Sequence, residues 1–448
     1  MIFLLGFLRY LLFNSGFRPN LRMAINPLET LRFLTPAQAA AVRKNFGTPA
    51  FVYSEAALRR AAAACLAFPN AYGLTVRFAM KACPNAAVLR LFDSLGLHFD
   101  ASSGWEVERA LRAGLAPGKI SLSTQELPEN FDALLAKGIL FNACSLSQLD
   151  RYGRQFPGTA LGVRFNPGLG SGSTGKTNVG GPGSSFGIWH ESLPDVHHLV
   201  ANHRLTVARV HTHIGSGSDP VVWQRAAKLT LQLAREFPAA TTINLGGGFK
   251  VGRMAYEKTT DLQKIGAPVK KLFEERARTS GAKLRLEIEP GTYLVALAGA
   301  LVCTVQDIVS TGAKGHDFLK LDAGMTDILR PSLYGAQHPL VVVSTQKKPQ
   351  IVAKTKEYLV VGHCCESGDL LTPAPGESET LRPRLLAEAA PGDLCVIEGA
   401  GAYCAGMSAK NYNSFPESPE VLLQKDGKLR LIRRRQTLEQ IVQNEVEK

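Results

Sequence analysis

The chain lacks an apolar run long enough to cross a bilayer. Residues 2–13 are apolar but interrupted by Arg9, and a spanning helix takes about 20 residues. The start also lacks a basic leading region and an Ala-x-Ala cleavage site, so no secretory signal is expected. Met23 opens a more ordinary start, and residues 1–22 read as an extension or a cleaved organelle-targeting segment. Paired cysteine motifs are missing too. The cysteines at 65, 83, 144, 303, 364, 365, 395 and 404 include no Cys-x-x-Cys, which points to a reduced, cytoplasmic protein rather than a disulfide scaffold. No metal constellation is visible, since His211-Thr212-His213 alone makes a poor chelate. Acidic charge is short: 38 Asp and Glu stand against 51 Lys and Arg, giving a formal charge of +13. Basic residues interleaved with aromatics are nonetheless absent, so neither nucleic acid nor membrane is expected as a partner. The densest run, Arg433-Arg434-Arg435, sits between a strand-like and a helix-like segment and reads as a solvated face. A diffuse positive field still favours an anionic substrate or cofactor.

What is present is ordinary globular composition, 45% hydrophobic and 20% charged over 448 residues, with room for two or three domains. Short apolar runs at 76–80, 119–123, 161–166, 207–214, 242–245 and 284–289 alternate with Ala- and Leu-rich helical stretches. That alternation predicts parallel βαβ units, and at this length a closed (β/α)8 TIM-like barrel, of which these would be six strands. After about residue 297 the texture becomes β-rich and broken by Gly, Pro and Asn, which predicts a C-terminal antiparallel β domain. The expected division is an extension over 1–22, a segment over 23–50 packing on the β domain, a barrel over 51–296 and a β domain over 297–448.

Barrel enzymes keep their chemistry at the carboxyl ends of the strands. Lys81 stands there, because Pro84 cannot continue a ladder and stops the first strand. Val210-His211-Thr212-His213-Ile214-Gly215-Ser216 brings a ring and a hydroxyl to a tight turn, and Gly246-Gly247-Gly248 offers bare amides to a phosphate. Glu289 puts a carboxylate at the end of another apolar run. Taken singly each signal is weak. Together they supply an aldehyde-capturing amine, a phosphate cradle, a flat ring to stack and an anion, which is what pyridoxal 5'-phosphate requires. Gly170 to Thr177 matches the nucleotide-binding loop pattern letter for letter, but Asn178-Val179-Gly180-Gly181-Pro182-Gly183 follows. No helix tolerates that run, so a long loop is expected in place of an ATP site.

From about residue 48 to 423 the chain resembles the diaminopimelate decarboxylases, of the alanine-racemase-like class of pyridoxal-phosphate enzymes. The resemblance rests on Arg77-Phe78-Ala79-Met80-Lys81-Ala82, His213-Ile214-Gly215-Ser216, Gly246-Gly247-Gly248, Glu289-Pro290-Gly291, Asp322-Ala323-Gly324-Met325, Arg330-Pro331, Leu333-Tyr334-Gly335, Cys365-Glu366-Ser367-Gly368-Asp369 and Gly401-Ala402-Tyr403. It implies that Lys81 holds the cofactor covalently and that His213 stacks on its ring. Ser216, Gly246, Gly247, Gly248 and the backbone at Gly291 would bind phosphate, and Glu289 would keep the pyridine nitrogen protonated. Arg330, Tyr334 and Tyr403 would hold the substrate carboxylate and the cofactor, and Glu366 the distal ammonium. Cys365 would be the proton donor, delivered from the neighbouring subunit of a homodimer.

One departure matters. Where the family reads Glu-Pro-Gly-Arg, this chain has Thr292, and a hydroxyl cannot make the bidentate pair a guanidinium makes with a carboxylate. The resemblance implies decarboxylation of meso-2,6-diaminoheptanedioate at its D centre to L-lysine, ending lysine biosynthesis. Thr292 leaves open a decarboxylase of D-lysine or D-ornithine, whose distal ends carry no carboxylate. A catalytically silent regulator is a third reading, against which stand Lys81, Glu289 and Cys365, all present.

Overall fold

The computed structural model describes residues 28–172, 175–216, 219–345 and 354–446; the extension expected over 1–22 lies outside them. Eight parallel strands close into a barrel. After β1 (Ala50–Ser54) they are β2 (Leu74–Ala79), β3 (His98–Ala101), β4 (Ile120–Leu122), β5 (Leu140–Ala143), β6 (Ala160–Asn166), β8 (Thr206–Thr212), β9 (Thr242–Asn244) and β10 (Arg285–Ile288), with the two-residue β7 (Ile188–Trp189) at the edge of β6. β5 pairs with β6 and β2 with β10, which closes the ring. β2 is buried along nearly its whole length, as a parallel strand covered on both faces must be. The helices start on side-chain caps at the turns that leave the strands: Asn85, Ser103, Ser145 and Asp219 each accept a backbone N–H of the first turn.

Inside the barrel, below its carboxyl end, Glu287 of β10 is gripped by Arg77 of β2 at 2.8 Å and by Arg209 of β8 at 3.0 Å. Burial alone would raise this carboxyl's pKa, but the two guanidiniums outweigh it and hold the group below its ordinary value. Removing one partner of such a group strands a buried charge, so the triad pins together the three strands that lead to Lys81, His213 and Glu289.

The second domain is a nine-stranded sheet centred on β11 (Gly299–Ser310), which pairs antiparallel with β1, with β12 (Asp317–Leu321) and with the strand Leu394–Glu398. It is mainly antiparallel; β1 with Glu420–Leu423 and β12 with Thr355–Val361 are its parallel pairs. The expected opening of the barrel at residue 51 is therefore corrected, since β1 belongs to this second sheet. Its run Ala50-Phe51-Val52-Tyr53-Ser54 is wholly buried, a pattern that fits either a barrel strand or the centre of a sandwich. The triple arginine is also not a plain solvated face. Arg433 pairs with Glu417 and Glu420 at 2.7 and 2.8 Å, and Arg435 donates to the Pro49 carbonyl at 2.8 Å.

Candidate active site

Lys81 sits on one 3-10 turn, Met80–Ala82, immediately beyond β2. The turn is tied to the β domain from two sides. Tyr403 donates its N–H to the Ala82 carbonyl at 2.9 Å, and Asn85, which caps the next helix, gives its side-chain amide to Glu420 at 3.1 Å. Tyr403 has φ of 55°, a left-handed conformation that a bulky residue adopts only where its surroundings enforce it. One small pocket is lined by residues that include Lys81, Asp100, His213, Ser216, Gly248 and Glu289, together with Gly291, Thr292 and Tyr403.

Surrounding protein acts to lower the Lys81 pKa, but Tyr403, Asp100 and Glu106 more than offset it, and the amine lies above its ordinary value. It must lose a proton before it can attack an aldehyde. His213 is driven the other way: burial, then Arg164 and Lys81, hold its pKa well below the usual imidazole range. Its Nδ1 accepts the Gly247 N–H at 3.3 Å, which leaves the single ring proton on Nε2. Glu289 accepts from the Asn244 amide at 2.6 Å and lies 3.3 Å from His211 Nε2. Burial opposes its ionisation, yet His211 and the Asn244 donor prevail, and the carboxyl stays well below its ordinary value.

The glycines leave room that any side chain would fill. A Cβ on Gly246, which has φ of +64°, would stand 2.6 Å from His213 Nδ1, and one on Gly247 would stand 2.2 Å from the Glu289 carbonyl oxygen. Helix Pro220–Leu233 fixes this loop, because Trp223 Nε1 donates to the Gly247 carbonyl at 3.0 Å. A lysine amine, a bare-amide turn, a neutral ring and an ionised carboxylate around one pocket fit pyridoxal phosphate.

Around the mouth lies a second cavity of about 490 Å³, roomy enough for an amino acid. Arg330, Tyr334, Thr292 and Tyr403 line it, together with Lys176 and Arg253. Gly175–Thr177, the end of the nucleotide-loop look-alike, forms a single 3-10 turn with no α-helix before His190. Cys365 and Glu366 are not at the Lys81 pocket of their own chain. Both are exposed on a β-domain loop, where the Cys365 N–H donates to Asn413 at 3.0 Å. Glu366 borders a separate, largely apolar groove of about 740 Å³ with Leu333, Leu381 and Tyr412. Beside it, burial and Asp369 push the Cys364 thiol up to about 12.

Sequence reasoning missed Asp100 and Arg164. Asp100 is the penultimate residue of β3, with Oδ1 buried and unpartnered, and burial followed by Glu289 raises its pKa well above the ordinary value. Arg164, on β6, lies 5.5 Å over the Phe186 ring. The available signal was a charged residue at the carboxyl end of a short run, Leu97-His98-Phe99-Asp100-Ala101. Among the described residues, no cluster of His, Cys, Asp and Glu is arranged to hold a metal ion, and no helix is long and apolar enough to cross a membrane.

The barrel and its lysine-centred pocket define a class, the pyridoxal-dependent decarboxylases. Residues 57–296 match the family model of the pyridoxal-dependent decarboxylase, pyridoxal binding domain. The chain is 36% identical over 415 residues to a diaminopimelate decarboxylase of Escherichia coli, covering 91% of this chain and 96% of the relative, and 36% identical over 422 residues to that of Streptomyces coelicolor, covering 92% of each. A crystal structure of diaminopimelate decarboxylase aligns with a TM-score of 0.85 at 36% identity, over 92% of this chain and 96% of that one. The chain belongs to the diaminopimelate decarboxylase family. Its cofactor is pyridoxal phosphate.

Proposed function

We propose that the protein removes carbon dioxide from the D centre of meso-2,6-diaminoheptanedioate and releases L-lysine, the last step of lysine biosynthesis. The observation that carries this reading is a lysine-centred inner pocket opening into an arginine-lined outer cavity, in a chain 36% identical to diaminopimelate decarboxylases over about nine-tenths of its length. The D-lysine or D-ornithine alternative has no support among those relatives.

Bound in the inner pocket, pyridoxal phosphate supplies the electron sink for the decarboxylation. Lys81 contributes the amine that anchors it. Ser216 and the backbone of Gly246, Gly247, Gly248 and Gly291 hold its phosphate, and His213 presents a flat, uncharged ring. Glu289, kept ionised by its donors, holds a proton at the pyridine nitrogen. Arg330, Tyr334 and Tyr403 orient the substrate at the mouth. Cys365 delivers a proton to the reacting carbon and Glu366 meets the distal ammonium, both from the second subunit of a homodimer. Their exposure away from their own Lys81, with Glu366 bordering an apolar groove, supports that arrangement. All eight cysteines are free, which supports a reducing, cytoplasmic setting. The test is carbon dioxide release by the cofactor-loaded protein with meso-diaminoheptanedioate, D-lysine and D-ornithine at equal concentration. Preference for the first is expected, and preference for either of the others would overturn the assignment.

A further inference from the structure

The Thr292 departure leaves the distal carboxylate short of a cation, and the outer cavity contains one that no motif announces. Arg253 is 6% exposed, lies five residues beyond Gly248 and lines the same cavity as Arg330 and Thr292. Its Nε donates to the Gly399 carbonyl at 2.9 Å, which fixes the side chain. Its Nη2 is buried with no partner, and so is Nε of Arg330. Among the described residues neither guanidinium has a carboxylate within ion-pair distance. The nearby Glu257 spends its Oε2 on the backbone N–H groups of Arg253 and Met254, at 2.7 and 3.1 Å. Burying a charged group without a close counter-ion is costly. Glu257 also lines the cavity but lies beyond ion-pair distance of both guanidiniums, so the two cations remain open to a substrate anion. Burial, reinforced by Arg330, brings the Arg253 pKa down to about 9, which still leaves it a cation at neutral pH.

We propose that Arg253 takes over the work of the missing arginine, gripping with Arg330 the carboxylate at the substrate's L centre. This rests on the diaminoheptanedioate reading above. The carboxylate is favoured over the cofactor phosphate because Arg253 borders the outer cavity with Arg330 and Thr292 and is not among the residues of the inner pocket, where Gly248 and Gly291 lie, although Ser216 borders both. The L-centre carboxylate survives the reaction, so L-lysine retains it and cadaverine does not. That difference makes the proposal testable by binding alone.

The experiment measures L-lysine and cadaverine affinity for wild-type, Arg253→Gln and Arg253→Lys holoenzymes, with pyridoxal phosphate affinity measured on each apoprotein. Loss of a charge-assisted contact should weaken L-lysine binding to Arg253→Gln by about 10- to 100-fold and leave cadaverine within about twofold. Arg253→Lys, which keeps the charge without the fork, should fall between. Equal weakening of both ligands would reduce Arg253 to a strut for the Gly399 turn, and unchanged L-lysine binding would also overturn the proposal. Weakened cofactor binding with an unchanged preference for L-lysine over cadaverine would assign Arg253 to phosphate instead. Failure of the broader reading has a different signature, since wild-type protein would then release no carbon dioxide from meso-diaminoheptanedioate.

Discussion

Gly247→Ala is the sharpest single test of the glycine cradle. The added Cβ would stand 2.2 Å from the Glu289 carbonyl oxygen and 3.1 Å from its carbon. No rotamer relieves a collision with backbone, so either the glycine turn or the Glu289–Pro290 segment must move. Overpacking of this kind costs about 1–3 kcal/mol. The Gly247 peptide groups also hold His213 Nδ1 at 3.3 Å and Trp223 Nε1 at 3.0 Å. Losing either adds about 1 kcal/mol. A total of about 2–4 kcal/mol, expressed in the geometry of the phosphate and ring contacts, corresponds to at least about 30-fold weaker cofactor binding. Spectroscopic titration of the apoprotein with pyridoxal phosphate measures this directly. Gly118→Ala is the control, because nothing lies within 4 Å of a Cβ there. If Gly247→Ala binds cofactor within about threefold of wild type and unfolds at the same temperature, the cradle argument is wrong.

Further outcomes follow from the same geometry. Lys81→Ala should abolish cofactor absorbance and activity together, whereas Cys365→Ala should keep the absorbance and slow turnover. If each site is built from two chains, an equimolar mixture of these two variants should recover about a quarter of wild-type activity after subunit exchange, since half the dimers are mixed and each has one intact site; no recovery would place Cys365 at its own chain's Lys81. The raised Lys81 pKa predicts that cofactor incorporation into the apoprotein speeds up about tenfold per pH unit between about pH 7 and 9, and a flat profile would show that the amine is already free. Burial pushes the Asp327 carboxyl up to about 6 despite hydrogen bonds from Ser418 and Thr326. The folded chain then keeps a proton that the unfolded chain releases near its ordinary value. Stability from this group is complete below about pH 4 and declines by up to about 3 kcal/mol as pH rises through 6. Asp327→Asn should flatten that part of a denaturation series, and an unaltered slope would exclude the effect.

The strands legible in the sequence were those whose apolar runs are long or end in a distinctive residue, such as β2 before Lys81 and β8 before His213. Those missed, His98–Ala101 and Leu140–Ala143, are four residues each, too short to show a period against their surroundings. Missing β3 meant missing Asp100, since a carboxylate is noticed only when the strand that carries it is recognised. β1 misled for another reason: its partners, β11 and Glu420–Leu423, lie about 250 and 370 residues further along, and local pattern carries no information about such pairing. Motif reading finds a group only where relatives keep it, so it found Thr292 as a loss. A carboxylate, however, needs a guanidinium at a point in space, and the chain can bring one there from any loop that borders the cavity. Arg253 enters 39 residues earlier, on the segment after the glycine turn, anchored through Gly399 of the other domain. Only the folded cavity, which Arg253, Arg330 and Thr292 all line, connects that position to the missing one.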